Sequence, residues 1–419
     1  MYFVDKERLL DKILTYKHFG DDGKGGITRY ALSKEDLMAR DEFKRRMENI
    51  GCDVYSDDLA NMYAVLKGNG KSDKRIVMAS HCDSVKNGGN YDGILGVLSA
   101  MEVLETVATQ NIEHNHDLVA MIWTNEEGSL YPPAIMCSSI VTNSYLPEEI
   151  RKNYDLDKLL NSHSVIDKNV TFKMALDKFP YKGKIENRIN PKDYMAMFEL
   201  HIEQGPILEE NKKDVGVVPC VLGMCNFSIR TEGVANHAGT TPMKKRKDAL
   251  FAMAKVLLLI HEKLDKFDGL VYTTGEISIH PNVHTVIPDE CLMSLDARHV
   301  DDRVIDEVKN ILNNLPSTVE GCKVSTKLEW DRKTTYFHKT LVGYVEGACK
   351  ELGYNYQFIN SGAGHDAQFA AYMLPTTMIF VPSKDGRSHC DEEYSDIEHC
   401  YKACNVLLNA VLRTDEEGV

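Results

Sequence analysis

The chain of 419 residues is 43% apolar and 27% charged, ordinary proportions for a globular protein with a large buried core. At roughly 150 residues per domain, this length predicts two or three domains. Acidic side chains outnumber basic ones by 63 to 49, and the net charge of −14 argues against a nucleic-acid-binding protein, which would present a basic face.

The sequence predicts neither a membrane segment nor a secretion signal. The longest tight apolar run, residues 256–260, is far shorter than the roughly 18 residues that a membrane span needs. Residues 1–8 lack the basic start and apolar core of a signal peptide. The eleven cysteines are dispersed without paired spacing, which is typical of reduced thiols. We therefore expect a cytoplasmic protein with no membrane and no nucleic-acid partner.

Four β-rich apolar runs are each followed by polar residues. The runs alternate with helical patterns, which predicts a mostly parallel α/β sheet. In such open sheets, ligands bind at the carboxyl edge of the strands. The runs are 75–80 before His81, 118–123 before Glu126 and Glu127, 195–200 before His201, and 376–381 before the loop of His389.

The middle of the chain shows a different order of elements. Strands are predicted at 225–232, 274–279, 290–297 and 323–330, and helices at 247–264 and from about residue 302. The order β-α-β-β-α-β is that of a ferredoxin-like α+β domain. We therefore predict a first domain in two segments, 1–213 and 334–419, with the ferredoxin-like domain inserted at 214–333.

The ends of the first two runs carry candidate metal ligands. His81 directly follows a strand, and Asp83 is near enough to orient its ring. Asp92 precedes a helical pattern. It either caps that helix, which is a purely structural role, or binds a metal ion. Glu126 and Glu127 should leave the chain on opposite sides, so that one binds metal while the other faces the substrate.

Two further histidines complete this candidate site. His201 follows the third run and His389 the fourth. A single histidine is usually structural, but three histidines, one aspartate and one glutamate at the same edge suit a divalent zinc, manganese or cobalt ion.

Six stretches of the sequence resemble one family closely. The chain resembles the M20 metallopeptidase superfamily and, within it, the carbamoylase branch of N-carbamoyl-L-amino acid hydrolases, allantoate amidohydrolases and their ureido-cleaving relatives. The stretches occur in the family's order between about residues 80 and 390. They are SHCDSVKNGGNYDGILGVL, TNEEGS, FELHIEQGPILE, GVANHAGTTPM, SGAGHDAQ and VPSKDGRSH.

The resemblance implies a di-metal hydrolase domain with an inserted lid and dimerisation domain. Glu126 would be the general base, and Asp83 would orient His81. In the family, a histidine that matches His237 reaches the active site of the partner subunit of a homodimer. The implied metal ligands are His81 and His201 for one ion, Glu127 and His389 for the other, and Asp92 between them.

The resemblance also implies a set of substrate contacts. Three positions match residues that contact the substrate in the family, namely Gln204, Arg298 and Gly364. An arginine such as Arg298 can bind a carboxylate through two hydrogen bonds. The sequence departs from the family in two places. Thr285 stands where relatives usually have an asparagine that helps to hold the substrate carboxylate, and Leu130 stands where many have arginine. These departures leave the substrate's identity open.

The predicted activity is cleavage of the ureido C–N bond of an N-carbamoyl-L-amino acid or a similar ureido acid, with release of ammonia and carbon dioxide. Two divalent ions, zinc or manganese with cobalt and nickel as alternatives, would acidify a water molecule whose proton Glu126 accepts. The alternatives are an allantoate amidohydrolase, an aminopeptidase or dipeptidase with the same metals, and a small-molecule binding protein descended from the enzyme.

Overall fold

The chain forms two structural units, one inserted in the other. The structure, a computed structural model, describes residues 1–419. The first unit comprises Met1–Pro219 and Tyr336–Val419, and the inserted unit comprises Cys220–Thr335. Residues 214–219, which the sequence analysis assigned to the inserted segment, lie in the first unit because the strand Val215–Val218 pairs within its large sheet. None of the helices has both the length and the apolar character that crossing a membrane requires.

The first segment of the chain supplies six strands and eight helices to the first unit. Asp5 and Ser33 cap the first two helices by accepting backbone N–H bonds from Arg8 and Asp36. The strands are β1 Asp53–Ser56, β2 Met62–Leu66, β3 Arg75–His81, β4 Asp117–Trp123, β5 Tyr194–Ile202 and β6 Val215–Val218. The helices are α1 Lys6–Lys17, α2 Lys34–Asn49, α3 Ile94–Thr109, α4 Met136–Thr142, α5 Glu148–Arg151, α6 Leu156–Leu160, α7 Phe172–Leu176 and α8 Ile207–Glu210.

The inserted unit is an antiparallel sheet packed on two helices. Its elements are β7 Cys220–Val221, β8 Gly223–Glu232, β9 Asn236–His237, α9 Ala249–Leu264, β10 Val271–Thr273, β11 Ile277–His280, β12 Val286–Ile287, β13 Glu290–His299, α10 Asp302–Asn313, β14 Thr318–Val319 and β15 Cys322–Arg332. The strand predicted at 274–279 begins three residues later, as Ile277–His280, and a separate short strand, Val271–Thr273, precedes it, with Gly275 in the segment between them. The main sheet has the strand order β10-β13-β8-β15-β14, with β11 also paired to β13, and the core of the unit lies between this sheet and the helices α9 and α10.

The last segment completes an eight-stranded sheet in the first unit. Its elements are β16 Thr335–Tyr336, α11 Lys339–Leu352, β17 Tyr356–Phe358, α12 Asp366–Ala370, β18 Thr376–Val381 and α13 Ile397–Glu417. The sheet order is β1-β2-β4-β3-β5-β18-β6-β17. The four central strands β4, β3, β5 and β18 are parallel, whereas β1, β2 and β6 are paired antiparallel to a neighbour. The predicted α/β class is therefore confirmed.

Candidate metal centre

The four central strands bring the predicted ligands to one edge of the sheet. Strand β3 ends at His81, which is paired with Trp123 at the end of β4, and Glu126 and Glu127 follow three and four residues later. His201 lies near the end of β5, paired with Phe380 of β18. Because these strands are parallel and adjacent, their carboxyl ends share an edge.

Asp92 lies at the centre of two groups of ligand atoms. Its Oδ1 is 3.5 Å from His81 Nε2 and 3.3 Å from His201 Nε2, and we call this group the first half-site. Its Oδ2 is 3.5 Å from His389 Nε2, which is itself 3.6 Å from Glu127 Oε2, and we call this group the second half-site. Each half-site therefore has one oxygen of the same carboxylate.

The donor atoms fit a pair of divalent ions. Two ligands bound at about 2.1 Å in tetrahedral geometry lie roughly 3.4 Å apart, which is close to the separations in both half-sites and longer than most hydrogen bonds. Glu127 Oε1 is buried and has no hydrogen-bond partner. Unpaired buried carboxylate oxygens are costly, and a cation would compensate for this cost.

Backbone carbonyls set the tautomers of two of the histidines. His81 Nδ1 lies 3.0 Å from the carbonyl oxygen of Asp83, and His201 Nδ1 lies 3.0 Å from that of Ile202. In a neutral imidazole, the nitrogen that donates to a carbonyl holds the only ring proton, so each Nε2 atom would present a lone pair to an ion in the first half-site.

The carboxylate of Asp83 has a different contact from the one predicted. It lies 3.9 Å from His81 Nδ1, whereas the backbone carbonyl of Asp83 is the closer partner of that ring. Its two oxygens instead accept the backbone N–H groups of Glu126 at 3.2 Å and Glu127 at 3.1 Å. Asp83 thus orients His81 through its main chain and holds the glutamate pair through its side chain.

Asp92 does not cap the helix that follows it. Helix α3 begins at Ile94 with Gly93 at its N-cap position, and no side chain caps it. Asp92 Oδ2 instead accepts hydrogen bonds from Gln204 Nε2 at 2.6 Å and Ser388 Oγ at 2.8 Å. The capping role considered from the sequence is therefore wrong, because the carboxylate is turned towards the histidines.

The carboxyl groups of the site have strongly perturbed acidities. Burial, together with repulsion from Asp366 and the neighbouring carboxylates, raises the pKa of Glu126 well above its usual value. Burial and the nearby Asp92 raise the pKa of Glu127 to about 7. Burial acts in the same direction on Asp92, but the surrounding imidazoles hold its pKa well below the usual value. The arrangement therefore combines one carboxyl group of lowered pKa, that of Asp92, with two of raised pKa, those of Glu126 and Glu127.

A buried polar layer beneath the first half-site was not predicted. Glu199 accepts from Ser80 Oγ at 3.0 Å and from the backbone N–H of Ala367 at 2.9 Å. The ring of His365 packs edge-on against His201 with 4.5 Å between centroids, and Ser138 Oγ donates to Asp366. The period of two in β5, which puts Glu199 and His201 on one face, is the signal that could have identified Glu199.

The predicted substrate contacts are divided between the two units. In the first unit, Gln204 binds Asp92, and a Cβ atom at Gly364 would lie 2.8 Å from the side chain of Ile135, so that little room is left there. In the inserted unit, the backbone N–H of Ala238 donates to Thr285, and Arg298 Nε donates to Asp296 Oδ1 at 2.7 Å.

His237 is exposed in the inserted unit with a defined tautomer. It lies in β9, which pairs with β12 next to Thr285. Its Nδ1 accepts the backbone N–H groups of Gly239 at 3.0 Å and Thr240 at 3.2 Å. The proton of the neutral ring is therefore on Nε2, which makes this imidazole a hydrogen-bond donor towards solvent.

Comparisons with known proteins agree with this geometry. The model of peptidase family M20/M25/M40 matches residues 77–413. The chain is 32% identical to the allantoate amidohydrolase of Escherichia coli (strain K12), over 90% of each chain. It is 31% identical to the N-carbamoyl-L-amino-acid amidohydrolase of Rhizobium meliloti, over 99% of this chain and 97% of that one.

A solved structure gives the same result. The structure of an amidase of the hydantoinase/carbamoylase family from Burkholderia multivorans matches with a TM-score of 0.86 and 34% identity, over 100% of this chain and 99% of that one. Enzymes of family M20 depend on metal ions, and the two half-sites are candidate ligand sets for them. The chain belongs to peptidase family M20/M25/M40 and, within it, to the carbamoylase branch of the amidohydrolases.

Proposed function

We propose that this protein hydrolyses the ureido C–N bond of an N-carbamoyl-L-amino acid or a similar ureido acid, releasing ammonia and carbon dioxide. The observation that carries the proposal is Asp92, which faces two histidines through one oxygen and His389 through the other. The allantoate amidohydrolase and the N-carbamoyl-L-amino-acid amidohydrolase that match 90% or more of the chain support a ureido substrate.

The proposed cofactor is a pair of divalent ions, zinc or manganese, with cobalt and nickel as alternatives. His81 and His201 would hold one ion, Glu127 and His389 the other, and Asp92 would bridge them. When bound, such ions lower the pKa of a water molecule and polarise a carbonyl group. Mixed imidazole and carboxylate ligands suit all four of these metals.

Glu126 is the proposed general base and acid. It lies beside the first half-site, with its Oε2 3.7 Å from His81 Nε2, and it is 7% exposed. It would accept a proton from water as the oxygen attacks the ureido carbon. It would then return that proton to the departing nitrogen as the C–N bond breaks. The released carbamate decomposes to ammonia and carbon dioxide.

His237 is the proposed donor to the oxyanion that develops on the ureido oxygen. Its Nε2–H group is free to donate because Nδ1 accepts two backbone N–H groups. A donor aimed at developing charge is often the largest single contribution to catalysis. We propose, from the family resemblance, that this histidine acts on the active site of the partner in a homodimer and that the inserted unit serves as a lid.

The surface of helix α9 supports the proposed dimer. One face of this helix packs in the core of the inserted unit, while Phe251 and Leu258 on the other face are 52% and 67% exposed. Contiguous exposed apolar residues often mark protein–protein interfaces. Sedimentation of the purified protein would test whether it is a dimer.

Arg298 is the proposed ligand of the substrate carboxylate, with Thr285, Gln204 and Gly364 as further contacts. The hydrogen bond from Arg298 Nε to Asp296 Oδ1 orients the guanidinium, whose planar fork suits a carboxylate. Thr285 offers one hydroxyl donor where relatives usually have an amide. The free thiols of all eleven cysteines favour a reducing compartment, and we propose a cytoplasmic location.

The deciding experiment measures ammonia release by metal-reconstituted protein. The panel contains several N-carbamoyl-L-amino acids, allantoate, β-ureidopropionate and a few dipeptides. We expect release from one ureido compound, and we expect Glu126→Gln to reduce kcat by about 10²- to 10⁴-fold while both ions stay bound. Release from allantoate alone would select the second candidate, which the Escherichia coli relative favours. Cleavage of dipeptides with no ureido activity would refute the proposal.

A further inference from the structure

A buried carboxylate, Glu393, connects the two loops that carry Asp92 and His389. It is 5% exposed. Its Oε1 accepts the backbone N–H groups of Tyr91 and Asp92, both at 3.0 Å. Its Oε2 accepts the backbone N–H of His389 at 3.3 Å and lies 2.9 Å from Ser388 Oγ, whose single hydroxyl proton is shared with Asp92 Oδ2. One oxygen therefore serves each loop, although the loops follow different strands of the sheet.

The second half-site depends on this connection more than the first. His81 and His201 are each oriented through Nδ1 by a backbone carbonyl. The structure shows no such bond for the ring of His389, whose side chain is 50% exposed and whose backbone has a φ of 58°. A residue in the left-handed region persists only when its surroundings hold it there. For His389, the hydrogen bond from its own backbone N–H to Glu393 supplies this restraint.

The chain also leaves space for the Glu393 side chain. A Cβ atom built on Gly89 would lie 2.2 Å from Glu393 Oε1. Gly89 does not have a positive φ, so any residue could adopt its backbone conformation. What excludes a larger residue at this position is the steric clash with Glu393. A glycine is therefore required at this position because the carboxylate occupies the space that a side chain would fill.

We propose that Glu393 is a positioning residue that sets the separation of Asp92 and His389 and thereby controls the metal affinity of the second half-site. The inference rests on the proposed function only in that both half-sites bind divalent ions. It requires no particular substrate. Partners that orient metal ligands typically change metal affinity by about 10- to 100-fold when they are removed.

Glu393→Gln is the first test, because glutamine keeps the length of the side chain and one of its two acceptors. The amide oxygen can still accept from Tyr91 and Asp92. The amide nitrogen can donate to Ser388 Oγ but cannot accept from His389, whose N–H then lacks a partner. We expect the zinc affinity of the second half-site to fall by about 10- to 100-fold. The zinc affinity of the first half-site should change by less than about twofold.

The measurement is a zinc titration against a chelator, with bound zinc counted by mass spectrometry. His389→Ala removes a ligand of the second half-site and His201→Ala one of the first, so these variants show which binding step of the titration belongs to which half-site. Glu392→Gln is the matched control, since this neighbouring side chain is exposed and pairs with Arg387 at 2.8 Å. Circular dichroism shows whether each variant is folded.

Gly89→Ala tests the same proposal without changing Glu393. The added methyl group should displace the carboxylate and weaken the second half-site selectively, as Glu393→Gln does. Equal weakening of both half-sites in these variants, or unchanged affinity at both, would overturn the proposal. A wild-type protein that binds two zinc ions but cleaves no ureido compound would refute the proposed function and leave this titration as a valid test.

Discussion

Gly93→Ala should remove the first half-site by displacing His81. A Cβ atom on Gly93 would lie 2.2 Å from Cε1 and 2.3 Å from Nε2 of the His81 ring. Ordinary carbon contacts begin at about 3.5 Å, so the ring must move by roughly 1 Å. The φ of 63° at this residue adds about 1–2 kcal/mol of strain for any L side chain.

The displacement is large compared with the tolerance of a metal site. Ligands must be held within about 0.5 Å of their working geometry. We therefore expect at least a 100-fold loss of zinc affinity at the first half-site and a comparable loss of kcat. The free energy of unfolding of the metal-free protein should fall by about 1–3 kcal/mol.

Three measurements check this prediction, namely zinc content after dialysis, urea denaturation, and kcat on the ureido substrate that the panel identifies. Gly343→Ala is the control, because this glycine lies in helix α11 and a Cβ atom there meets nothing within 4 Å. It should stabilise the protein by about 0.5–1 kcal/mol and leave the metals in place. A Gly93→Ala protein with two tightly bound ions and wild-type kcat would refute the steric argument.

Two further predictions concern His237 and Asp57. His237→Ala should reduce kcat by about 100-fold or more while both ions stay bound, and a wild-type rate in the metal-replete variant would rule out its role as a donor. Burial raises the pKa of Asp57 from 3.8 to about 6, so the folded chain binds this proton more tightly than the unfolded chain does. The resulting stability is fully present below about pH 4 and is lost as pH rises through 6. The advantage of the wild type over Asp57→Asn in urea denaturation should therefore shrink by up to about 3 kcal/mol between pH 4 and 7, and a constant difference would contradict the argument.

The strand pattern of the large sheet could be read from local sequence. The run 376–381 coincides with β18 because a segment of β-branched and apolar residues bounded by prolines is typical of a strand buried on both faces. The same holds within two residues at each end for β3, β4 and β5. Since polar residues follow each run, the edge that carries His81, Glu127, His201 and the His389 loop was predictable from chain order and the parallel arrangement.

The sequence by itself therefore determined the fold class and which residue types meet at the sheet edge, because both depend on short-range hydrophobic patterns. Tertiary structure decided which atoms face each other. The side chain of Asp83 accepts backbone N–H groups of the glutamate pair, and Asp92 does not cap the helix that follows it. Glu199 accepts a hydrogen bond from Ser80 in the buried layer next to His201. Glu393 reached a loop some 300 residues away. These contacts depend on strand register and loop packing between distant segments, and local patterns do not encode that geometry.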